Sequence, residues 1–164
     1  VDTLLAFPAL LLALTISAVL GPNLQNTIIA IGIAFTPFLA RIIRGEALRV
    51  AQMPYVEAAR TAGNSDMRLI LRHILPNVIS PIVVSATLGI ANAIITESAL
   101  SFLGLGFPPD FPTWGRLLFD AVDYMQQNPE RVILPGVAIS LTVLTVNYLG
   151  DGLRDALDPR IRGR

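Results

Sequence analysis

The 164-residue sequence has no cysteine, no lysine and a single histidine, His73. Without cysteine there are no disulfides, zinc–thiolate sites or thiol nucleophiles, and the redox compartment leaves no mark. Without lysine no Gly-x-x-x-x-Gly-Lys-Ser/Thr loop exists, so this chain does not hydrolyse ATP by a P-loop mechanism. One histidine has no metal-site spacing, and no nucleophile–base pairing is visible, which leaves a membrane-embedded enzyme with little support. Charge is scarce as well: 15% of residues are charged, against about 25% in a soluble domain. Net charge is zero, which gives no reason to expect nucleic acid as a partner.

Apolar residues fill the gap, at 53% of the chain with a mean hydropathy of +0.62. A spanning helix needs roughly 20 mostly apolar residues. Residues 3–20, 27–43, 79–100 and 132–149 meet that demand, and an all-α polytopic helical bundle in contact with membrane lipid is expected. Pro8, Pro37, Pro81 and Pro135 lie in or at the edge of these stretches. In a membrane bundle, neighbouring helices re-satisfy the backbone groups that proline frees. A soluble bundle would need a polar face on each helix, and residues 4–14 or 79–95 offer none with charge. Val1 is followed almost at once by the first apolar run, with no initiator Met or basic region before it. A signal peptide is a poor reading of that start, and a beginning inside a longer protein is the expectation.

Arginine placement gives a direction. Arg41, Arg44, Arg49, Arg60, Arg68 and Arg72 fall between the second and third spans, and Arg154, Arg160, Arg162 and Arg164 in the tail, 150–164. The segment 104–131 holds only Arg116 and Arg131 against Asp110, Asp120, Asp123 and Glu130. The positive-inside rule then places the 53–77 loop and the C-terminus in the cytoplasm and segment 104–131 outside.

Within the loop, Pro54 suits the first turn of a short helix and Gly63 a left-handed cap at its end. Ser65 or Asn64 is placed to cap a second helix over 66–74, with Asp66 favourable near its start, and Pro76 is expected to separate that helix from the following span. Ala58, Ala59 and Gly63 allow another surface to approach closely, while Tyr55, Glu57 and Arg60 sit on the same short helix. By pattern alone this is either a docking element or a surface-lying connector.

The residues Glu57-Ala58-Ala59, three more, Gly63, nine more, His73, Ile74 and then Leu75-Pro76 resemble the EAA loop of ABC importer permeases. His73 stands where the pattern has an apolar residue. Arg-His-Ile-Leu-Pro-Asn here is nonetheless similar to the dipeptide, oligopeptide and nickel branch. The similarity extends to Phe7-Pro8-Ala9-Leu10-Leu11, residues 100–106, Pro112-Thr113-Trp114-Gly115, and residues 150–160, the last resembling the C-type member of the permease pair. That resemblance implies a binding-protein-dependent permease domain of about six spans in the inner membrane, with two N-terminal spans preceding this sequence. It implies import of di- or oligopeptides, a nickel complex or glutathione. It also implies three kinds of partner: a B-type second permease subunit, cytoplasmic ATP-binding subunits carrying ATP and magnesium, and an extracytoplasmic binding protein. No cofactor is expected on this chain itself.

The remaining polar residues are read more plainly. Glu97, a carboxylate inside an apolar stretch, is assigned first to packing against neighbouring spans and second to substrate contact. A secondary transporter or channel using Glu97 as an ion or proton site is the alternative function. Asn92 and Asn147 are expected to hydrogen-bond between helices or to line a pore. Trp114, Phe107, Phe111 and Phe119 read as an interfacial aromatic belt. Gly104-Leu105-Gly106 lacks the third glycine of a nucleotide loop and reads as a turn. Asp151, Arg154, Asp155 and Asp158 form either a charge network or a solvated surface.

Overall fold

The computed structural model describes residues 2–157. Its elements are helices α1 (Asp2–Leu5), α2 (Ala9–Leu20), α3 (Leu24–Ala51), α4 (Pro54–Thr61), α5 (Asp66–Leu69), α6 (Leu75–Phe102), α7 (Trp114–Ala121) and α8 (Glu130–Leu157). A π-helical turn, Ile70–Ile74, joins α5 to α6, and a 3-10 turn, Val122–Tyr124, follows α7. No strand occurs among the described residues.

Three segments are long and apolar enough to cross a membrane: Leu24–Ala51, the continuous Asp66–Phe102, and Glu130–Leu157. At 1.5 Å per residue the 28-residue helices α3 and α8 each measure about 42 Å, ample for an apolar layer of about 30 Å. Their most apolar windows are only 22% (α3), 17% (the α5–α6 segment) and 6% (α8) buried within the chain. Such windows would form the core of a soluble bundle; here Ile28, Ile33, Ile90, Leu134, Leu141 and Leu144 point outward. That surface calls for an apolar neighbour outside the described residues.

The expected first stretch, 3–20, is helical in two pieces. Chain direction changes at Ala6–Pro8, and α2 alone has 12 residues, about 18 Å, too short to cross by itself. Pro8 has no N–H to continue a helix and biases Phe7 away from helical backbone, so α1 stops before it. Pro37, Pro81 and Pro135, by contrast, are carried inside α3, α6 and α8.

Small residues let these helices meet closely. Ala13 of α2, Ala34 of α3 and Leu100 of α6 form one buried cluster, with Ala9, Leu12, Ile31, Phe35 and Leu105 around it. Gly150 of α8 faces Thr87 of α6, where a Cβ would stand 3.2 Å from Cγ2. Asn23 caps α3 by accepting from the Gln25 N–H at 2.9 Å, and Thr113 caps α7 by accepting from the Arg116 N–H at 3.1 Å.

Helix α6 is central, contacting α2, α3, α7 and α8. Its C-terminus closes at Gly104 (φ +75°), where the Leu105 N–H reaches the Leu100 carbonyl at 2.8 Å. From there the chain folds back so that α7 lies against α6 and α8. Gly115 sits directly on the Ser98 backbone and Gly106 on Ser101; a Cβ at either would collide with those residues. Phe107 and Phe111 stack at 5.3 Å, and Arg116 and Arg131 lie over the Phe119 and Tyr124 rings. One end of the bundle is thus capped by an aromatic segment, while the other carries α4, α5 and most of the arginines.

Candidate functional site

At the arginine-rich end α3 stops at Ala51 and, after Gln52 and Met53, α4 begins with Pro54 in its first turn. Proline lacks only an N–H that a first turn leaves unpaired anyway. The helix ends in a full Schellman closure. Gly63 has φ +83°, its N–H bonds the Arg60 carbonyl at 3.0 Å, and the Asn64 N–H bonds the Ala59 carbonyl at 3.3 Å. The Asn64 side-chain amide adds a 2.8 Å bond to that same carbonyl. Asn64 is therefore committed to the end of α4, and Ser65, at the start of α5, makes no side-chain capping bond. Only the Ser65 carbonyl is used, accepting from the Leu69 N–H at 3.0 Å.

The short helix would be marginal alone. Val56 anchors it, fully buried with Val50 of α3, Leu69 of α5 and Val78 of α6, and with Met53, Ala59, Ile74 and Ile82 packed around them. Tyr55, Glu57, Ala58 and Arg60 are exposed. Neither the Glu57 nor the Arg60 side chain has a hydrogen-bond or ion-pair partner among the described residues. The site is thus a capped helix anchored to the bundle through Val56, with Glu57 and Arg60 exposed and Tyr55 at the rim of a neighbouring cleft.

Leu75 and Pro76 do not pack in the α4 cluster; both are exposed, and their neighbours Ile74 and Val78 take that place. Nor does Pro76 end a helix: α5 runs through the π turn into α6 without a break. In that turn the Leu75 N–H bonds the Ile70 carbonyl, five residues back. The wider turn relieves the clash a proline ring makes with the carbonyl four residues before it. His73 lies half-buried inside this turn, and its carbonyl accepts from the Asn77 side chain at 2.8 Å.

Beside α4 an open cleft of about 540 Å³ lies between α3, α6 and α8, lined by Glu46, Arg49, Tyr55, Asn77, Ser80 and Arg154 among others. Arg49 is already paired with Glu46 at 2.8 Å. Asp151, Arg154 and Asp155 are exposed and make no ion pair among the described residues, so the surface reading fits them better than a charge network; Asp158 lies outside the described residues.

Two of the candidate polar residues within the long helices, Asn92 and Glu97, bond within their own helix. Asn92 bonds the Leu88 carbonyl of its own helix at 3.1 Å rather than a neighbouring helix. Asn147 is half-buried with no hydrogen bond to another helix. Glu97 accepts from the Ser101 hydroxyl at 2.6 Å, one turn further along α6. Two hydroxyls, Ser17 and Ser98, are buried without partners. No group of three or more His, Asp or Glu side chains converges among the described residues.

Sequence reasoning missed Val56 and Leu69, which hold the loop in place. Their signal was the apolar series Val50, Met53, Val56 at three-residue steps leading out of α3. The π turn had a signal as well, a proline within an apolar run too long to be interrupted.

Residues 1–163 match the family described as binding-protein-dependent transport system inner membrane component. A putative peptide transport system permease protein of Brucella suis is 49% identical over 161 residues, 98% of this chain and 54% of that relative. The glutathione transport system permease protein GsiD of Escherichia coli is 50% identical over 162 residues, 99% of this chain and 54% of that relative. The chain spans about half the length of the curated relatives it matches. A helical bundle with three membrane-capable segments, carrying the Glu-Ala-Ala…Gly loop at one end and matched by the family model along nearly all its length, belongs to the binding-protein-dependent transport system inner membrane components.

Proposed function

We propose that this chain is the membrane-spanning part of an importer permease driven by ATP hydrolysis on a separate subunit, and that α4 is the docking helix for that subunit. The observation that carries the reading is the two-sided build of α4: Val56 buried in the bundle, with the Glu57 and Arg60 side chains exposed and unpaired among the described residues. The cap is common to many helices; the buried anchor Val56 adds what a helix that transmits movement requires, a fixed seat on the bundle. Magnesium and nucleotide belong on the partner. Arginine placement supports an orientation with α4 and the C-terminus in the cytoplasm and the aromatic segment outside, where an extracytoplasmic binding protein delivers the solute. A second, B-type permease subunit completes the pathway.

The solute is a small peptide. Relatives are named for peptide and for glutathione transport, and glutathione is itself a peptide, so the two names agree on chemical class. The ion-coupled alternative is weaker. Such a carrier needs several ionisable groups along a path, and Glu97 is alone in its apolar stretch with one oxygen already bonded to Ser101.

Reconstitution of the full transporter with its ATP-binding subunits tests the reading. Glu57→Ala inserts normally but loses ATP-driven uptake of a labelled dipeptide and retains less ATPase on purification. Uptake that continues without ATP and follows a proton gradient would overturn the proposal.

A further inference from the structure

The stripe that anchors α4 has an irregular period. Leu69, Ile74, Val78 and Ile82 all belong to one cluster around Val56, at spacings of five, four and four. In an unbroken α-helix, the nine steps from Leu69 to Val78 would turn the chain through about 900°, placing the two side chains on opposite faces. The five-residue step coincides with the π turn, Ile70–Ile74, in which residues five apart share a face. The π turn therefore brings Leu69 onto the face of α6 that bears Val78, and with Leu69 comes the whole α4–α5 hairpin.

Packing holds the wide turn from one side and backbone chemistry from the other. Pro76 supplies no N–H to the preceding turn, and Leu75 donates to Ile70 rather than to Leu71. On the outer face Ile70, Leu71 and Arg72 are exposed, so no neighbouring element splints the turn there. A second proline, Pro81, frees a further backbone position one turn beyond Val78. Between the firmly packed hairpin and the central helix lies a short stretch with reduced α-helical bonding and one open side.

We propose that the π turn Ile70–Ile74 is the joint through which movement of α4 reaches α6, the hairpin swinging about this turn while Leu69 and Val78 stay in contact. This rests on the reading of α4 as a docking helix and adds where its displacement is converted.

The test separates the joint from the stripe. Deleting exposed Leu71 and replacing Pro76 with Ala (ΔLeu71/P76A) changes the five–four–four stripe to four–four–four, so a continuous α-helix keeps Leu69, Ile74 and Val78 together but removes the joint. In the reconstituted transporter this variant is expected to retain its ATP-binding subunits and hydrolyse ATP, yet lose most ATP-driven dipeptide uptake. Full association with wild-type uptake would overturn the joint and leave α4 docking intact. Loss of association by the Glu57→Ala variant tests docking separately. Should ΔLeu71/P76A fail to assemble, spin labels at Thr61 and Leu88 of otherwise wild-type protein read the same motion. The distance between them is expected to shift by at least about 1.5 Å, one residue's rise, between nucleotide-free and ATP-trapped states. An unchanged distance would refute the proposal.

Discussion

Gly63→Ala isolates the conformational part of the α4 closure. Gly63 has φ +83°, and a Cβ built there meets nothing within 4 Å. The substitution introduces no clash with neighbouring elements, only the cost of holding an L-residue in left-handed backbone, roughly 1–2 kcal/mol. The Asn64 and Gly63 bonds to Ala59 and Arg60 exist only in that conformation, so the penalty falls on the closure of α4. A change of that size multiplies the open population by roughly 5–30. Amide hydrogen exchange in lipid nanodiscs reads this as faster exchange over Pro54–Thr61, with protection in α3 and α8 unchanged. Gly63→Asn, whose side chain tolerates left-handed backbone, should show a smaller increase. Gly45→Ala, in helical backbone with no Cβ neighbour within 4 Å, is the control and should be neutral or stabilising by up to about 1 kcal/mol. Equal protection of α4 in Gly63→Ala and wild type would refute the view that the cap holds the helix. So would an equal increase in the Ala and Asn variants.

Three further outcomes follow from neighbouring features. Val56→Ala removes two buried methyl-sized groups, at about 0.8 kcal/mol each plus a cavity term; it should free α4 by about 2 kcal/mol, read by the same exchange measurement. Gly115→Ala drives a methyl into the Ser98 carbonyl, a backbone atom of α6; overpacking of about 1–3 kcal/mol should detach α7 and raise thiol labelling at a cysteine placed at Ala121, a buried position of α7, with no native cysteine to give background. Glu46→Gln breaks an i,i+3 pair whose side chains are 31% and 53% exposed; it should change thermal stability by less than about 1 kcal/mol, and a larger loss would show that the cleft depends on this pair.

The α4–α5 hairpin was readable because its punctuation is local. A proline at the start and a glycine at the close act through their own backbone geometry, and both behave in the structure as their chemistry demands. Prolines further along were less readable because their effect depends on what flanks them. Pro8 is preceded by only a short helical piece, too little to propagate through a lost hydrogen bond, and the chain breaks. Pro37 and Pro81 have long helix on both sides, while Pro135 stands close to the start of α8 and is buried against packed neighbours; all three helices continue. Pro76 was read as a break for the same reason Pro8 should have been. The π turn resolves it differently, because Leu69 gains burial on the far side. Polar positions inside the helices misled in another way: a side chain such as Asn92 reaches its own carbonyl four residues back, and sequence does not reveal whether it prefers that bond to one across an interface.

The break at Pro8 bears on what surrounds this bundle. Helix α2 begins with Ala9 packed near Ala34, well inside the length of α3, so the turn at Ala6–Pro8 stands at a depth where hydrocarbon would otherwise be the neighbour. Lipid tails offer no hydrogen bonds to non-helical backbone. The surface around Phe7, 60% exposed in this chain, is accordingly not a lipid-facing one. Protein or enclosed water must meet it, making the shortest apolar helix of the bundle a marker for the side on which the membrane is absent.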